Sequence, residues 1–362
     1  MTEMSAETME DLNSGAILVG GTRERGLPWW HTPSLQNHGK QLFWEDFIPV
    51  TEVLDGPFGF TALEVTDPEI PLPNGGVTKM NGYKIIVRSD NGAVLGVFKK
   101  GYQPHQPKEL VQVANEIVGG DLGITSAMRF KNGAVLALEV SVNETLHNKR
   151  AGFDYVPNIL ISTSFNGTLI TDVIRTAKFS VCDNTWEIAR MAGVARIGAK
   201  HTKYSLDKLA SQREALGILE RSITEIDEMI DRMMEQEISN KVFGNFLDLY
   251  APIPEWKEGE STTGLTIATQ KRETLITMWT SDERVEPWRG TEWGVLQLVN
   301  TYNHHENRVK VGAIKGESAD EYADRANSVR AMRNLGNVLN GKLRKADDEA
   351  MGMLTKALEM AN

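Results

Sequence analysis

The sequence predicts an α+β protein: an antiparallel sheet of β-hairpins with one helix packed on it, then a helical C-terminal half containing a long heptad-patterned helix. Three observations lead there. Asn-Gly pairs at 91–92, 132–133 and 166–167 each separate two apolar runs, and Asn-Gly tolerates the positive φ angles of tight hairpin turns. An amphipathic helical pattern, residues 107–120, lies between the first and second of these hairpins. Beyond residue 178 the apolar residues recur at helical spacing. Hairpins pair consecutive strands antiparallel, which excludes a doubly wound parallel sheet.

Residues 1–75 read as an acidic, aromatic-containing N-terminal arm, with a Gly-rich LVGGTRERG followed by Trp29, Trp30, Phe43, Trp44 and Phe47. Solvated tails rarely carry three tryptophans, so the arm is expected to pack on something. The turn formers of DPEIPLPNGG (67–76) close it. Residues 76–204 form the expected α+β core. GYKIIVR (82–88) and AVLGVF (93–98) make the first hairpin. PKELVQVANEIVGG (107–120) sets Leu110, Val113, Ala114 and Ile117 at helical spacing and stops at Gly119-Gly120. FKNGAVLALEVSV (130–142) and NILISTSFNGTLITDVIRT (158–176) supply the remaining hairpins. In VCDNTWEIARMAG (181–193), Asp183 or Asn184 offers an N-cap and Glu187 a first-turn acid, which predicts a helix.

Residues 205–250 hold the long helix, from about 205 to 237. Leu209, Leu216, Leu219, Ile223, Ile226, Ile230 and Met233 follow a heptad seam with acids outside it. The first reading is a core helix or an intramolecular helical hairpin, and the second is self-association through the seam. Residues 251–362 form a C-terminal helical region: a linker, APIPEWKEGESTTG (251–264), then helical patterns at 265–280, 291–308, 318–345 and 347–361.

Charge is unevenly distributed. The net charge is −10, yet residues 1–75 hold 12 acids against 3 bases, while residues 171–210 hold 7 bases against 4 acids and residues 310–345 hold 8 against 4. The overall acidity therefore does not decide the partner. A single cysteine, Cys182, excludes an internal disulfide framework and multi-cysteine metal clusters. No stretch approaches the roughly 18 apolar residues of a membrane-spanning helix. The opening MTEMSAETMEDLNSG lacks the basic and apolar regions of a signal peptide. A cytoplasmic protein without membrane contact is expected.

Motifs for catalysis are missing: no G-x-x-x-x-G-K-[ST], no G-x-S-x-G and no H-E-x-x-H. Cys182 reads as a buried structural residue. His304 and His305 are adjacent, and neighbours on a helix diverge by about 100°, so they read as surface or core histidines rather than joint metal ligands. The acid-rich helix 220–237 reads as a solvated face. No catalytic residue, cofactor or metal is assigned.

Binding is the better-supported class. Basic residues gather around the predicted sheet and the segment after it: Arg129 and Lys131 at a turn, Lys149 and Arg150, then Arg175, Lys178, Arg190, Arg196, Lys200 and Lys203. Tyr102, Phe130, Phe153, Tyr155, Phe165, Phe179 and Trp186 are interleaved with them. Positive charge with stacking rings is what single-stranded nucleic acid requires. Arg129, Lys131, Arg175, Lys178, Trp186, Arg190, Arg196, Lys200 and Lys203 are the candidate nucleic-acid-binding residues.

GYQPHQ (101–106), VIRTAKFSVCDNTWEIA (173–189), KHTKYSLDKLASQREALG (200–217) and RGTEWGVLQLVNTYNHHENRV (289–309) resemble, in order, the motifs of the phage/plasmid-like protein family of bacteriophages and mobile elements. The resemblance runs from roughly residue 30 to 310. It implies a phage or plasmid protein acting in the bacterial cytoplasm and assigns no catalytic residue. The order of hairpins, packed helix and trailing helices is also similar to single-strand annealing recombinases, ring-forming proteins that hold single-stranded DNA in a basic groove without ATP. The expected function is single-stranded DNA binding, with ATP-independent annealing by a homo-oligomer. The alternative is a non-enzymatic interaction or assembly protein, such as a host-factor modulator.

Overall fold

The structure, a computed structural model, describes residues 16–26, 41–117, 122–142, 145–179, 185–187, 196–199, 201, 214–257, 261–312, 314–339 and 342–361. The class is α+β, with antiparallel sheets first and a helical C-terminal half. The chain divides into two compact units, one of residues 1–146, 156–177 and 187–223, the other of residues 147–155, 178–186 and 224–362. Among the described residues no helix is long and apolar enough to cross a membrane.

In the first unit the short strand β1 (Ile17–Val19) is followed by a helical turn α1 (Thr22–Arg25), the helix α2 (Val50–Asp55) and the strands β2 (Ala62–Thr66), β3 (Glu69–Pro71), β4 (Val77–Lys79), β5 (Tyr83–Arg88) and β6 (Val94–Lys99). Helix α3 (Pro107–Ile117) precedes β7 (Leu122–Phe130) and β8 (Val135–Val142). The later strands are β9 (Leu146–Asn148), β10 (Phe153–Ser164), β11 (Thr171–Phe179), β12 (Thr185–Glu187) and β13 (Arg196–Ala199). The large sheet runs β1-β7-β8-β10-β11-β12, with β13 on β11 and β9 on β10.

All three Asn-Gly pairs lie in turns between neighbouring strands. Gly92 and Gly167 adopt φ 72° and 75°, and the β7–β8 turn takes Lys131, Asn132 and Gly133 to φ 51°, 54° and 93°. The second turn brings Phe130 opposite Val135, and the β7–β8 register then holds to Leu122 opposite Val142 with one irregularity between Ile124 and Ser126. β10 pairs with β8 from Asn158 opposite Ser141 to Ser164 opposite Val135. Apolar and β-branched side chains on both faces explain the burial of most of β7, β8 and β10.

Helix α3 begins as its sequence indicates: Pro107 takes the first helical position, and the Gln106 amide donates to Glu109 Oε2 at 2.5 Å. Leu110, Val111, Val113 and Ala114 are buried, and the helix packs against β8 and α2. Part of the acidic arm is built in as expected: β1 pairs antiparallel with β7, Ile17 opposite Met128, and the Phe47 ring lies where a side chain at Gly123 would stand. Trp29 and Trp30 lie outside the described residues.

A smaller sheet, β2-β5-β6, turns one face inward with Lys84, Ile86, Arg88 and Leu95 buried. Its register sets Leu63, Val87 and Val94 in one row and Val65, Ile85 and Val97 in the next, on the outer face. Leu63 is 47 % exposed and Val94 62 %.

The second unit holds α4 (Glu214–Glu235) from residue 224 onward, with α5 (Asn240–Tyr250), α6 (Thr263–Ser281), α7 (Glu292–Thr301), α8 (Ala319–Leu339) and α9 (Lys342–Glu359). Ser239 and Thr291 cap α5 and α7 by accepting from the amides of Val242 and Gly294. Every residue of α7 from Trp293 to Thr301 is buried, as suits a helix enclosed on all sides. The heptad seam is internal where it is described: Ile226, Ile230 and Met233 of α4 are buried within the chain itself.

Two sequence expectations are corrected. The helix expected from Asp183 or Asn184 is absent over residues 185–187, which form β12. Thr185 and Trp186 suit a pleated strand, and pairing into the large sheet overrides the capping signal. The boundary expected between 345 and 347 is not there: α9 runs unbroken from Lys342 to Glu359, after α8 (Ala319–Leu339), with residues 340 and 341 outside the described residues. Cys182 and Leu209 fall outside the described residues.

Candidate functional site

Of the nine candidate binding residues, Arg129 is half-buried and its Nη1 donates to the Pro57 carbonyl at 3.4 Å, which ties the end of β7 to the loop after α2. Lys131 is exposed on the β7–β8 turn. Arg175 and Lys178 lie on β11, Trp186 on β12 and Arg196 on β13. Arg190, Lys200 and Lys203 lie outside the described residues. The β11–β13 register sets Arg196 opposite Ile174, so the backbone positions of Arg175 and Arg196 are neighbours on paired strands.

The same ribbon leads, three residues further along, to a feature that composition and charge do not reveal. Thr171 pairs with Ala199, and His201 follows two residues later. Four rings stack there in series within the first unit. Phe98 of β6 lies on Tyr102 with centroids 3.7 Å apart and planes 5° from parallel. Tyr102 lies 4.9 Å from His201, and His201 lies 4.5 Å from His105.

Hydrogen bonds set the stack. Tyr102 Oη donates to the Ser164 carbonyl at 3.0 Å, and the Gln103 amide donates to the His201 carbonyl at 3.1 Å. His105 Nδ1 and the Thr171 hydroxyl are 2.6 Å apart, and Thr171 and Thr163 hydroxyls are also 2.6 Å apart. Lys84 Nζ, buried on the inner face of the small sheet, donates to the Tyr102 carbonyl at 2.8 Å and pairs with Glu64. Close approach is built into the backbone: a Cβ at Gly96 would stand 2.3 Å from the Phe165 carbonyl oxygen, so β6 can pass the β10–β11 turn only with glycine there.

Burial decides the charge state of these rings. Desolvation, reinforced for His105 by His201, holds both imidazoles down to about 4. Burial, helped by the Glu64 carboxylate, raises the Tyr102 phenol. At neutral pH the stack is uncharged. Tyr102 and His201 each have both ring faces covered by a neighbour, and His105 is 3 % exposed. The nearest described cations are Lys84, which donates to the Tyr102 carbonyl, and the exposed Lys100.

Charge and spacing missed Phe98, Tyr102, His105 and His201 as a group, because their partners are far apart in the chain. A signal was present: Tyr102 and His105 belong to GYQPHQ and His201 to KHTK, two of the motifs that carry the family resemblance.

The second unit has its own polar centre. α7 passes into a π-helical turn, Tyr302–Glu306, a distortion often found at functional sites. Asn300 Nδ2 donates to Asp347 Oδ2 of α9 at 3.1 Å. Burial, then the neighbouring Asp348, pushes the Asp347 carboxyl up to about 8. Burial, with smaller contributions from His305 and Arg333, holds His304 down to about 3. Asn334 Nδ2 donates to the His304 carbonyl at 2.7 Å and Arg333 to that of Asn303 at 3.3 Å, which covers the carbonyls of the turn. Among the described residues no group of three or more His, Cys, Asp or Glu gathers as a metal cluster.

A family model described as domain of unknown function (DUF932) matches residues 94–339, and the chain belongs to that family. No curated protein and no solved structure matches the chain.

Proposed function

We propose that this DUF932 protein is a single-stranded-DNA-binding protein of a phage or plasmid. It acts in the bacterial cytoplasm and promotes strand annealing as a homo-oligomer, without ATP. The observation that carries the reading is the β11–β13 ribbon, with Arg175 and Arg196 at adjacent backbone positions and the Phe98–Tyr102–His201–His105 stack at its other end. Single strands are held by cations that follow the phosphates and rings that accept bases, without a sequence code.

Titration of a labelled oligonucleotide at two salt concentrations tests this. Affinity should fall steeply with salt, since counterion release drives phosphate contacts. Binding that is absent, or insensitive to salt, refutes the reading.

The outer face of the small sheet favours a second reading, a non-enzymatic interaction or assembly protein. Leu63, Val65, Val94 and Val97 expose apolar surface in adjacent rows, and contiguous exposed apolar surface marks interaction sites. Under that reading Leu63→Lys with Val94→Lys would abolish activity in the host and leave oligonucleotide affinity unchanged.

A further inference from the structure

We infer that the small sheet of the first unit is a subunit interface: its outer face packs on a second copy of this chain, and the β3–β4 ribbon of each copy lies across the face of the other. The inference rests on the homo-oligomer proposed above and names the surface that builds it.

The ribbon is an arm. β3 and β4 pair only with each other, Glu69 opposite Lys79 and Pro71 opposite Val77, and all six of their residues are exposed. A two-stranded ribbon in water is marginally stable by itself. Ile70, Leu72 and Val77 on and beside it are 40 %, 39 % and 60 % exposed. Its base is firmly held by Asp67, which sits at φ 48°. The Asp67 amide donates to the Tyr83 carbonyl at 2.9 Å, and its carboxylate accepts from the Gly82 amide at 2.8 Å and from Lys100 Nζ at 2.6 Å. The body of the sheet therefore directs the arm, and the arm carries its apolar side chains into solvent.

Charge favours a second copy here. At net charge −10 two copies repel over most of their surface. The exposed residues of the outer face, Leu63, Val65, Tyr83, Val94 and Val97, include no carboxylate. The three acids of residues 62–83 are each paired within the chain: Glu64 with Lys84, Asp67 with Lys100 and Glu69 with Lys79.

Area selects the arrangement. Taking about 120 Å² for a Val, Leu or Ile side chain and about 200 Å² for Tyr, the face offers on the order of 300 Å² of apolar surface and the arm about 150 Å² more. Two faces alone reach only about 600 Å², the range of incidental contacts. A two-fold exchange counts face and arm twice, for about 900 Å² before any polar rim, close to the roughly 1,000 Å² of a specific interface. A one-way contact of arm on face gives half of that.

The experiment is molar mass by light scattering on the full chain, with circular dichroism as the check of folding. Val77→Lys alters the arm and Val94→Glu the face, both at exposed positions. Each variant alone should show at least a twofold lower mass than the wild type at equal concentration. An equimolar mixture of the two should recover association. The mixed pair keeps one native arm on one native face and sets lysine against glutamate at the other contact. A folded variant that keeps the wild-type mass, or a mixture that stays dissociated, overturns this contact and leaves the homo-oligomer standing. A wild-type chain that is monomeric at every concentration overturns both, while salt-dependent oligonucleotide binding is judged separately by the titration above.

Discussion

His105 and His201 lie face to face, with ring centroids 4.5 Å apart and planes 13° from parallel. The contact joins the loop before α3 to the residue just beyond β13, and it holds only while both rings are neutral. Both titrate near 4 in the folded chain, against an ordinary 6.5. Above about 6.5 neither the folded nor the unfolded chain protonates them, and stability is unaffected. Between 6.5 and 4 the unfolded chain takes up protons that the folded chain refuses, so stability falls with pH, and below about 4 the loss is complete. After allowance for solvent screening the pair should account for on the order of 2–4 kcal/mol. Denaturant midpoints between pH 7 and 4 measure it. His201→Phe should flatten the curve in that window, and an unchanged curve would remove the histidines as its cause.

The hairpin turns make a second test. Gly133 sits at φ 93° and a Cβ there would stand 2.9 Å from Arg88 Cδ, while Gly167 sits at φ 75° with Phe98 at 3.1 Å. Valine at either position forces a β-branched residue into the left-handed region. Gly133→Val and Gly167→Val should each destabilise by roughly 1–3 kcal/mol, read from chemical denaturation. Gly101→Val, where an added Cβ meets nothing within 4 Å and φ is not positive, should be nearly silent.

Much of this architecture was legible in the sequence. The Asn-Gly turns, α3 and the C-terminal helices follow from turn chemistry and apolar period, both local signals. Misreadings arose where tertiary pairing outweighed local preference. Asn184 and Glu187 suggested a helix start, yet Thr185–Glu187 join the large sheet as β12. The strands β1 and β13, each four residues or fewer, carry too little periodicity to be read alone. Among the functional candidates the sequence supplied the cations but not the ring stack. Phe98, Tyr102, His105 and His201 span about a hundred residues and meet only once β6, α3 and β13 are in place.

The internal seam leads to a third expectation. Ile226 and Ile230 of α4 are wholly buried in the chain, so oligomers cannot form through that part of the heptad pattern. Ile230→Ala should lower stability by about 2–5 kcal/mol through the cavity it leaves. The molar mass by light scattering should be unchanged at equal concentration. A variant that keeps its stability and loses its oligomers would reverse this assignment.

Arg175 and Arg196 decide the central proposal. The measurement is oligonucleotide affinity against salt for the wild type, Arg175→Ala, Arg196→Ala and the double variant, each checked for folding by circular dichroism. If these arginines contact phosphates, each substitution should weaken every sequence alike and lower the slope of log affinity against log salt by about 0.7, with the double variant near twice that. A folded double variant with wild-type affinity and slope would contradict the account.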